Sequence, residues 1–162
     1  MPLPTGADAP LFTLPDGGGE PRRLAEILHA GPVLLVFFKI SCPTCSLAMP
    51  VVAELHRRYG DAVPVVAVTQ TKMADSRPWL DEAGFTGPVL DDEHDRFAVS
   101  RSYDVQTVPT LVLVDGGRVA ATTEGWDRDR MNGWATVLGD RTGRDTSPVS
   151  TEGDGRPVFK PG

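Results

Sequence analysis

Cysteine is scarce in this sequence: only Cys42 and Cys45 occur among 162 residues, and aromatic residues make up 7%. Two cysteines cannot provide the several disulfides that hold together small secreted domains. A zinc site needs four ligands, and the three histidines show no ligand spacing, so we expect no metal. A chain of this length buries about 68–70% of its unfolded surface and folds without such help. The cysteines are therefore either a packed, inert pair or free for chemistry.

Long apolar runs and clusters of basic residues are also missing. The longest apolar run, Pro32 to Phe38, is far shorter than the about eighteen residues of a membrane span. A net charge of −6 disfavours nucleic acid or an anionic membrane as the main partner. The first residues carry neither the basic nor the apolar stretch of a signal peptide. We therefore expect a cytoplasmic location, where two cysteines separated by two residues indicate redox or metal chemistry.

Apolar periodicity predicts an α/β fold. The run 33–38 is apolar at every residue, and the run 63–69 is mostly valine, which is typical of strands covered on both faces. Residues 46–59 between them have apolar residues at helical spacing, so we expect two parallel strands joined by a helix. The other predicted elements are a hairpin around 15–19, a small helix at 22–30, helices at 75–83 and 93–103 around a short strand at 87–90, a hairpin of 108–114 with 118–123, and a last helix at 127–138.

The composition changes near the end of the chain and predicts a domain boundary. Beyond Gly139 the residues are mainly Gly, Asp, Arg, Ser, Thr and Pro, and only Val149, Val158 and Phe159 are apolar. Such a segment has little apolar surface to bury. We therefore predict a domain over residues 1–138 and a flexible or loosely docked tail over 139–162.

Cys42 and Cys45 fall at the junction between a predicted strand and a predicted helix. The free N–H groups and the positive dipole end at a helix start favour a thiolate at Cys42. Pro43 suits the first helical turn, because its φ is already helical and its missing N–H is not needed. Cys45 lies one turn further and can attack a mixed disulfide formed at Cys42. The pattern predicts Cys42 as the nucleophile and Cys45 as the resolving thiol.

Val108-Pro109 directly precedes a predicted buried strand. A proline in this position is a candidate for a cis peptide bond. A trans proline as the first residue of a strand fits the residues equally well. The residues alone leave both conformations open.

Together these features resemble the thioredoxin superfamily over residues 8–138: an apolar strand, Ser41-Cys-Pro-Thr-Cys45, Pro50 in the next helix, and Thr107-Val-Pro-Thr-Leu-Val-Leu-Val-Asp-Gly-Gly117. The glycine-rich N-terminal turn and the extra strand and helix between 70 and 105 are more similar to its TlpA-like and redoxin (AhpC/TSA-related) branch. That branch contains thiol-disulfide reductases and relatives of peroxiredoxins. The resemblance implies a thioredoxin-like α/β fold, with a central mixed sheet flanked by helices, an N-terminal hairpin extension and a central strand-helix insertion.

The resemblance also implies a substrate-binding groove. It makes Pro109 the cis-proline beside the cysteines, and the backbone of Val108 would pair with an extended substrate. Thr107, Pro43 and Thr44 are then the further candidate substrate-binding residues.

Two departures from the family pattern concern proton transfer. Val36 stands where thioredoxins carry a buried acid, and Ala48 stands where some TlpA-like proteins carry a glutamate. The proton acceptor for Cys45 is therefore unassigned. Lys39 either supplies positive charge near Cys42 or is simply a solvated lysine.

We expect a thiol-disulfide oxidoreductase, a disulfide reductase in a reducing compartment, without a cofactor. Its partners would be disulfide-containing proteins or small molecules and a thiol reductant system, with no nucleic acid or membrane. One alternative is a peroxiredoxin-like thiol peroxidase, although Leu35 and Lys39 replace the Pro and Thr of that pocket. Another is a redox-inactive module that binds a partner in the groove beside Pro109.

Overall fold

The computed structural model describes residues 1–162 and contains nine strands and five α-helices. In chain order these are β1 (Thr13–Pro15), β2 (Pro21–Arg23), α1 (Leu24–Ile27), β3 (Val33–Phe38), α2 (Pro43–Tyr59), β4 (Val65–Thr69), α3 (Met73–Glu82), β5 (Val89–Asp91), α4 (Ala98–Ser102), β6 (Thr110–Asp115), β7 (Arg118–Glu124), β8 (Trp126–Asp127), α5 (Arg128–Thr142) and β9 (Phe159–Lys160). No helix combines the length and the apolar character needed to cross a membrane.

Strand β3 is the centre of a five-stranded sheet in the order β5-β4-β3-β6-β7. All six residues of β3 are buried, as its unbroken apolar sequence predicts. It pairs in parallel with β4 and antiparallel with β6, and β5 and β7 extend the two edges. The sheet is therefore mixed, as predicted, and strands β1 and β2 form the predicted N-terminal hairpin beside it.

Helix α2 connects the two central parallel strands and carries the cysteine motif at its start. Its inner face contributes a row of fully buried residues that includes Cys45, Ala48 and Leu55. The helix packs against β4 and α5. This packing fixes the start of α2 at the end of β3.

The predicted helix at 93–103 is wrong in its first half, because α4 begins only at Ala98. Arg96 and Phe97 have left-handed backbone conformations, with φ of 51° and 64°. Non-glycine residues rarely adopt this conformation, and it cannot continue a right-handed helix. The segment before α4 is therefore a turn, and the chain enters the helix from it.

The chain after α5 runs back across the surface of the domain. The Asn132 side chain accepts N–H groups of Val149 at 2.9 Å and Ser150 at 3.0 Å, and it donates to the Ser150 carbonyl at 2.8 Å. Further along, β9 pairs with β8. The sequence places a flexible or loosely docked tail over 139–162, whereas α5 continues beyond that boundary and hydrogen bonds dock the rest. The mobility of this segment in solution stays a prediction.

Candidate active site

Cys42 occupies the position directly before α2. Its Sγ accepts the backbone N–H of Cys45 at 3.1 Å, and Pro43 follows as the first residue of the helix. A sulfur that accepts an N–H at a helix start is in surroundings that favour negative charge. The structure thus has the local arrangement that the sequence predicts for a nucleophilic thiol.

The second neighbour of Cys42 comes from the loop before β6. The Cys42 thiol donates to the carbonyl oxygen of Val108 at 3.2 Å, across 66 residues of sequence. The Val108-Pro109 peptide bond is cis. The loop and the helix start therefore meet at the thiol, as the resemblance implies.

Cys45 differs from Cys42 in its surroundings. Cys45 is fully buried, and both cysteines are free thiols. Burial raises the pKa of the Cys45 thiol well above its usual range, while a hydrogen bond to the Lys39 backbone and the Lys39 charge oppose that rise. Cys45 is therefore protonated at neutral pH. A thiol of this kind fits the predicted resolving role, in which Cys45 reacts only after Cys42 has formed a mixed disulfide.

A cavity of about 330 Å³ opens beside Cys42. Its wall includes Thr107 and Val108 from the loop before β6, and also Lys39, Gln70 and Phe97. A volume of this size accepts a small molecule. Cys42 therefore forms part of the wall of a cavity large enough for a small molecule.

A buried carboxylate supports one wall of this cavity. Asp92 is fully buried and accepts the N–H groups of Val99 at 3.0 Å and Ser100 at 2.8 Å, together with the Ser100 hydroxyl at 2.6 Å. The Ser100 oxygen accepts in turn from the Gln70 side chain at 3.0 Å. Nothing in the sequence indicates this network, because a single acid in a run of acidic residues gives no signal of burial.

Two further candidate substrate-binding residues, Thr107 and Thr44, differ in their exposure. Thr107 is exposed on the cavity wall, whereas Thr44 is buried. The Thr44 hydroxyl donates to the carbonyl oxygen of Pro161 at 2.6 Å. Thr44 thus binds a backbone carbonyl, although that carbonyl belongs to the chain's own C-terminal segment. The roles of these residues in substrate binding stay predictions.

The family model described as the AhpC/TSA family matches residues 5–122, a range that contains both cysteines and Pro109. The chain belongs to the AhpC/TSA family. This membership confirms the resemblance to the redoxin branch of the thioredoxin superfamily.

Two curated relatives are similar to this AhpC/TSA-family chain. The thioredoxin-like protein YneN of Bacillus subtilis (strain 168) is 32% identical over 114 residues, covering 68% of this chain and 65% of YneN. The thiol-disulfide oxidoreductase ResA of the same organism is 32% identical over 130 residues, covering 78% of this chain and 70% of ResA. The chain thus spans less than two thirds of the length of YneN.

Solved structures show the same fold. The thioredoxin domain of a thiol-disulfide oxidoreductase from Bacteroides vulgatus has a TM-score of 0.72 at 22% identity, covering 84% of this chain and 99% of that domain. This likeness confirms the predicted thioredoxin-like fold of the AhpC/TSA-family chain.

Proposed function

We propose that this protein is a thiol-disulfide oxidoreductase that reduces disulfides through Cys42 and Cys45. One observation carries the proposal: the Cys42 sulfur lies between the N–H of Cys45 and the carbonyl of Val108. The first contact is the helix-start N–H expected beside the nucleophile, and the second joins the sulfur to the backbone that, in this proposal, pairs with an extended substrate. The names of ResA and of the Bacteroides vulgatus protein support the same chemistry.

The reaction proceeds in two exchanges. The Cys42 thiolate attacks one sulfur of the substrate disulfide, so a Cys42–substrate S–S bond forms, and the other substrate sulfur leaves as a thiolate that takes up a proton. Cys45 then loses its proton and attacks Cys42 Sγ, which forms the Cys42–Cys45 disulfide and releases the second substrate thiol. Two electrons pass from the cysteine pair to the substrate. An external dithiol reductant restores the pair by the reverse exchange.

The reductase direction and a cytoplasmic location belong to this proposal. Thiols in a reducing compartment are kept reduced, so the pair there donates electrons to incoming disulfides. The reduction potential of the pair decides the direction, and about 30 mV changes the free energy by 1.4 kcal/mol for a two-electron couple.

A thiol peroxidase is the second candidate, because the redoxin branch that the chain resembles contains relatives of peroxiredoxins and the cavity beside Cys42 has the volume for a small molecule. In that reaction the Cys42 thiolate attacks a hydroperoxide, becomes a sulfenic acid and releases an alcohol. Cys45 then displaces water to form the disulfide. Lys39 and Leu35 occupy the places of the Thr and Pro that shape a peroxidatic pocket, so this candidate is the weaker one.

The two functions are separated by turnover with a dithiol reductant and either a disulfide or a hydroperoxide as the oxidant. We expect disulfide reduction that Cys42→Ser abolishes, and little consumption of hydroperoxide. Thr136→Ala, which removes a hydroxyl at an exposed position of α5, is the matched control. Hydroperoxide consumption that exceeds disulfide reduction would favour the peroxidase.

A further inference from the structure

Residues 156–162 cross the active-site face of the domain, and we call them the strap. The strap is docked mainly by its backbone. The Trp126 indole N–H donates to the carbonyl of Pro157 at 2.7 Å, and the N–H of Arg128 donates to the carbonyl of Val158 at 2.9 Å. Backbone groups in regular pairing with a neighbouring strand define one position for a segment. Strand β9 within the strap pairs antiparallel with β8, with Lys160 opposite Trp126, so the strap is held in register.

The far end of the strap lies against the nucleophile's own neighbours. The Thr44 hydroxyl donates to the carbonyl of Pro161 at 2.6 Å. A Cβ placed on Gly162 would lie 2.5 Å from the carbonyl oxygen of Val108, so the backbone of the strap touches the loop that contacts Cys42. Cys42 itself is only 6% exposed. The strap thus covers part of the approach to a thiol that must attack a substrate.

The strap also divides the surface around Cys42 into two cavities. One is the cavity of about 330 Å³ that Cys42 shares with Gln70 and Phe97. The other has about 570 Å³ and lies between the strap, the N-terminal residues and Arg130, without contact with Cys42. Gly162 of the strap and Thr107 of the loop before β6 line both cavities. Release of the strap would join them into one groove that passes over the thiol.

We propose that the docked strap limits Cys42 to low-molecular-weight reactants, and that a polypeptide disulfide reaches Cys42 only after the strap has left. This inference names the substrate class of the site and rests on the proposed function for its disulfide chemistry. The small cavity admits a compact disulfide while the strap stays in place. An extended polypeptide needs the backbone of Val108 and the length of the joined groove, which the strap occupies.

The glycine beside the strap allows a specific test in the full chain. Gly125 has φ of +66°, and a Cβ there would lie 3.0 Å from both Lys160 O and Gly162 N, atoms of the strap. Gly125→Asn therefore crowds the backbone of the strap, which must give by a few tenths of an ångström, and so favours release of the strap. Asparagine tolerates a left-handed backbone better than other residues with a side chain. Gly143 has the same φ of +66° with open space around it. Gly143→Asn is thus a matched control for backbone strain.

The measurement compares the alkylation rates of Cys42 by iodoacetamide and by a maleimide attached to a large polymer. The rate at which a bulky reagent alkylates Cys42 is proportional to the fraction of molecules in which the strap is released. Gly125→Asn is therefore expected to raise the rate with the bulky reagent by about tenfold or more. The rate with iodoacetamide should change by less than about twofold, and Gly143→Asn should leave both rates unchanged. The proposal is overturned if the ratio of the maleimide rate to the iodoacetamide rate is the same in the wild type, Gly125→Asn and Gly143→Asn.

Disulfide reduction separates this proposal from the proposed function. In the wild type we expect faster reduction of glutathione disulfide than of insulin, and a selective gain with insulin in Gly125→Asn. If the ratio of the two alkylation rates differs between the wild type and Gly125→Asn but neither of them reduces a disulfide, the proposed function fails. The conclusion that the strap covers Cys42 then still stands. If Gly125→Asn does not fold, Thr44→Val removes the hydrogen bond to Pro161, and an unchanged alkylation ratio in that variant overturns the proposal.

Discussion

The thiol of Cys42 lies 3.2 Å from the carbonyl oxygen of Val108 and donates a hydrogen bond to it. This contact joins a helix start and a loop that are far apart in sequence. In the proposed mechanism, a substrate that pairs with the backbone of Val108 would lie next to the attacking sulfur of Cys42. Binding and nucleophilic attack would then take place at one position.

Replacing the resolving thiol should trap the first intermediate. We expect Cys45→Ser to react with a chromogenic aromatic disulfide and to stop at a mixed disulfide on Cys42, releasing one equivalent of the aromatic thiol. The wild type releases a second equivalent when Cys45 attacks. Cys42→Ser should release neither, because Cys45 is fully buried. Mass spectrometry identifies the trapped residue, and an adduct on Cys45 in the wild type would contradict the assigned roles.

The second exchange should depend on pH. Burial raises the pKa of the Cys45 thiol, so at neutral pH only a small fraction is thiolate, and that fraction grows as the pH rises. We expect the rate of the second release to increase by about tenfold per pH unit between about pH 6 and about pH 9. Stopped-flow absorbance resolves the two releases. A second release that is independent of pH would show that Cys45 is not the attacking group.

Lys39 should assist that second exchange. Its charge lowers the pKa of Cys45 against the larger effect of burial. Lys39→Gln is therefore expected to slow the second release by about two- to fivefold at low salt, and less at high salt because exposed charges are screened. Lys72→Gln, which removes an exposed lysine from the start of α3, is the control. Equal rates in the two variants would exclude an electrostatic role for Lys39.

The buried carboxylate of Asp92 should be important for stability. Asp92→Ala leaves the N–H groups of Val99 and Ser100 and the Ser100 hydroxyl without their acceptor. We expect a loss of about 3 kcal/mol in the free energy of unfolding, measured by denaturant titration. Asp95→Ala, at an exposed position nearby, should have little effect. A loss below about 1 kcal/mol would mean that solvent replaces the missing acceptor.

The sequence predicts the sheet and the position of Cys42 at a helix start because both follow from local signals. Strand β3 is apolar at every position, and the turn after β6 contains Gly116 and Gly117, with φ of 58° and 77°. Cys42 directly precedes a helix whose first residue is proline. Each of these features is determined by residues that are neighbours in the chain.

The docked tail and the late start of α4 could not be predicted in the same way. The tail is held by backbone carbonyls that meet distant side chains, such as Pro161 with Thr44 and Pro157 with Trp126. Carbonyl groups are present at every residue and therefore give no pattern in a sequence. Phe97 adopts a left-handed backbone conformation although it is not a glycine, so the sequence does not indicate that conformation.

A redox titration of the cysteine pair against glutathione, followed by alkylation and mass spectrometry, tests whether Cys42 and Cys45 act together. We expect oxidation to consume two thiols together, to form one disulfide between Cys42 and Cys45, and to be reversed by a dithiol reductant. A pair that stays reduced with glutathione disulfide and with every other disulfide offered, or that accumulates a stable adduct on Cys42 alone, would contradict this expectation.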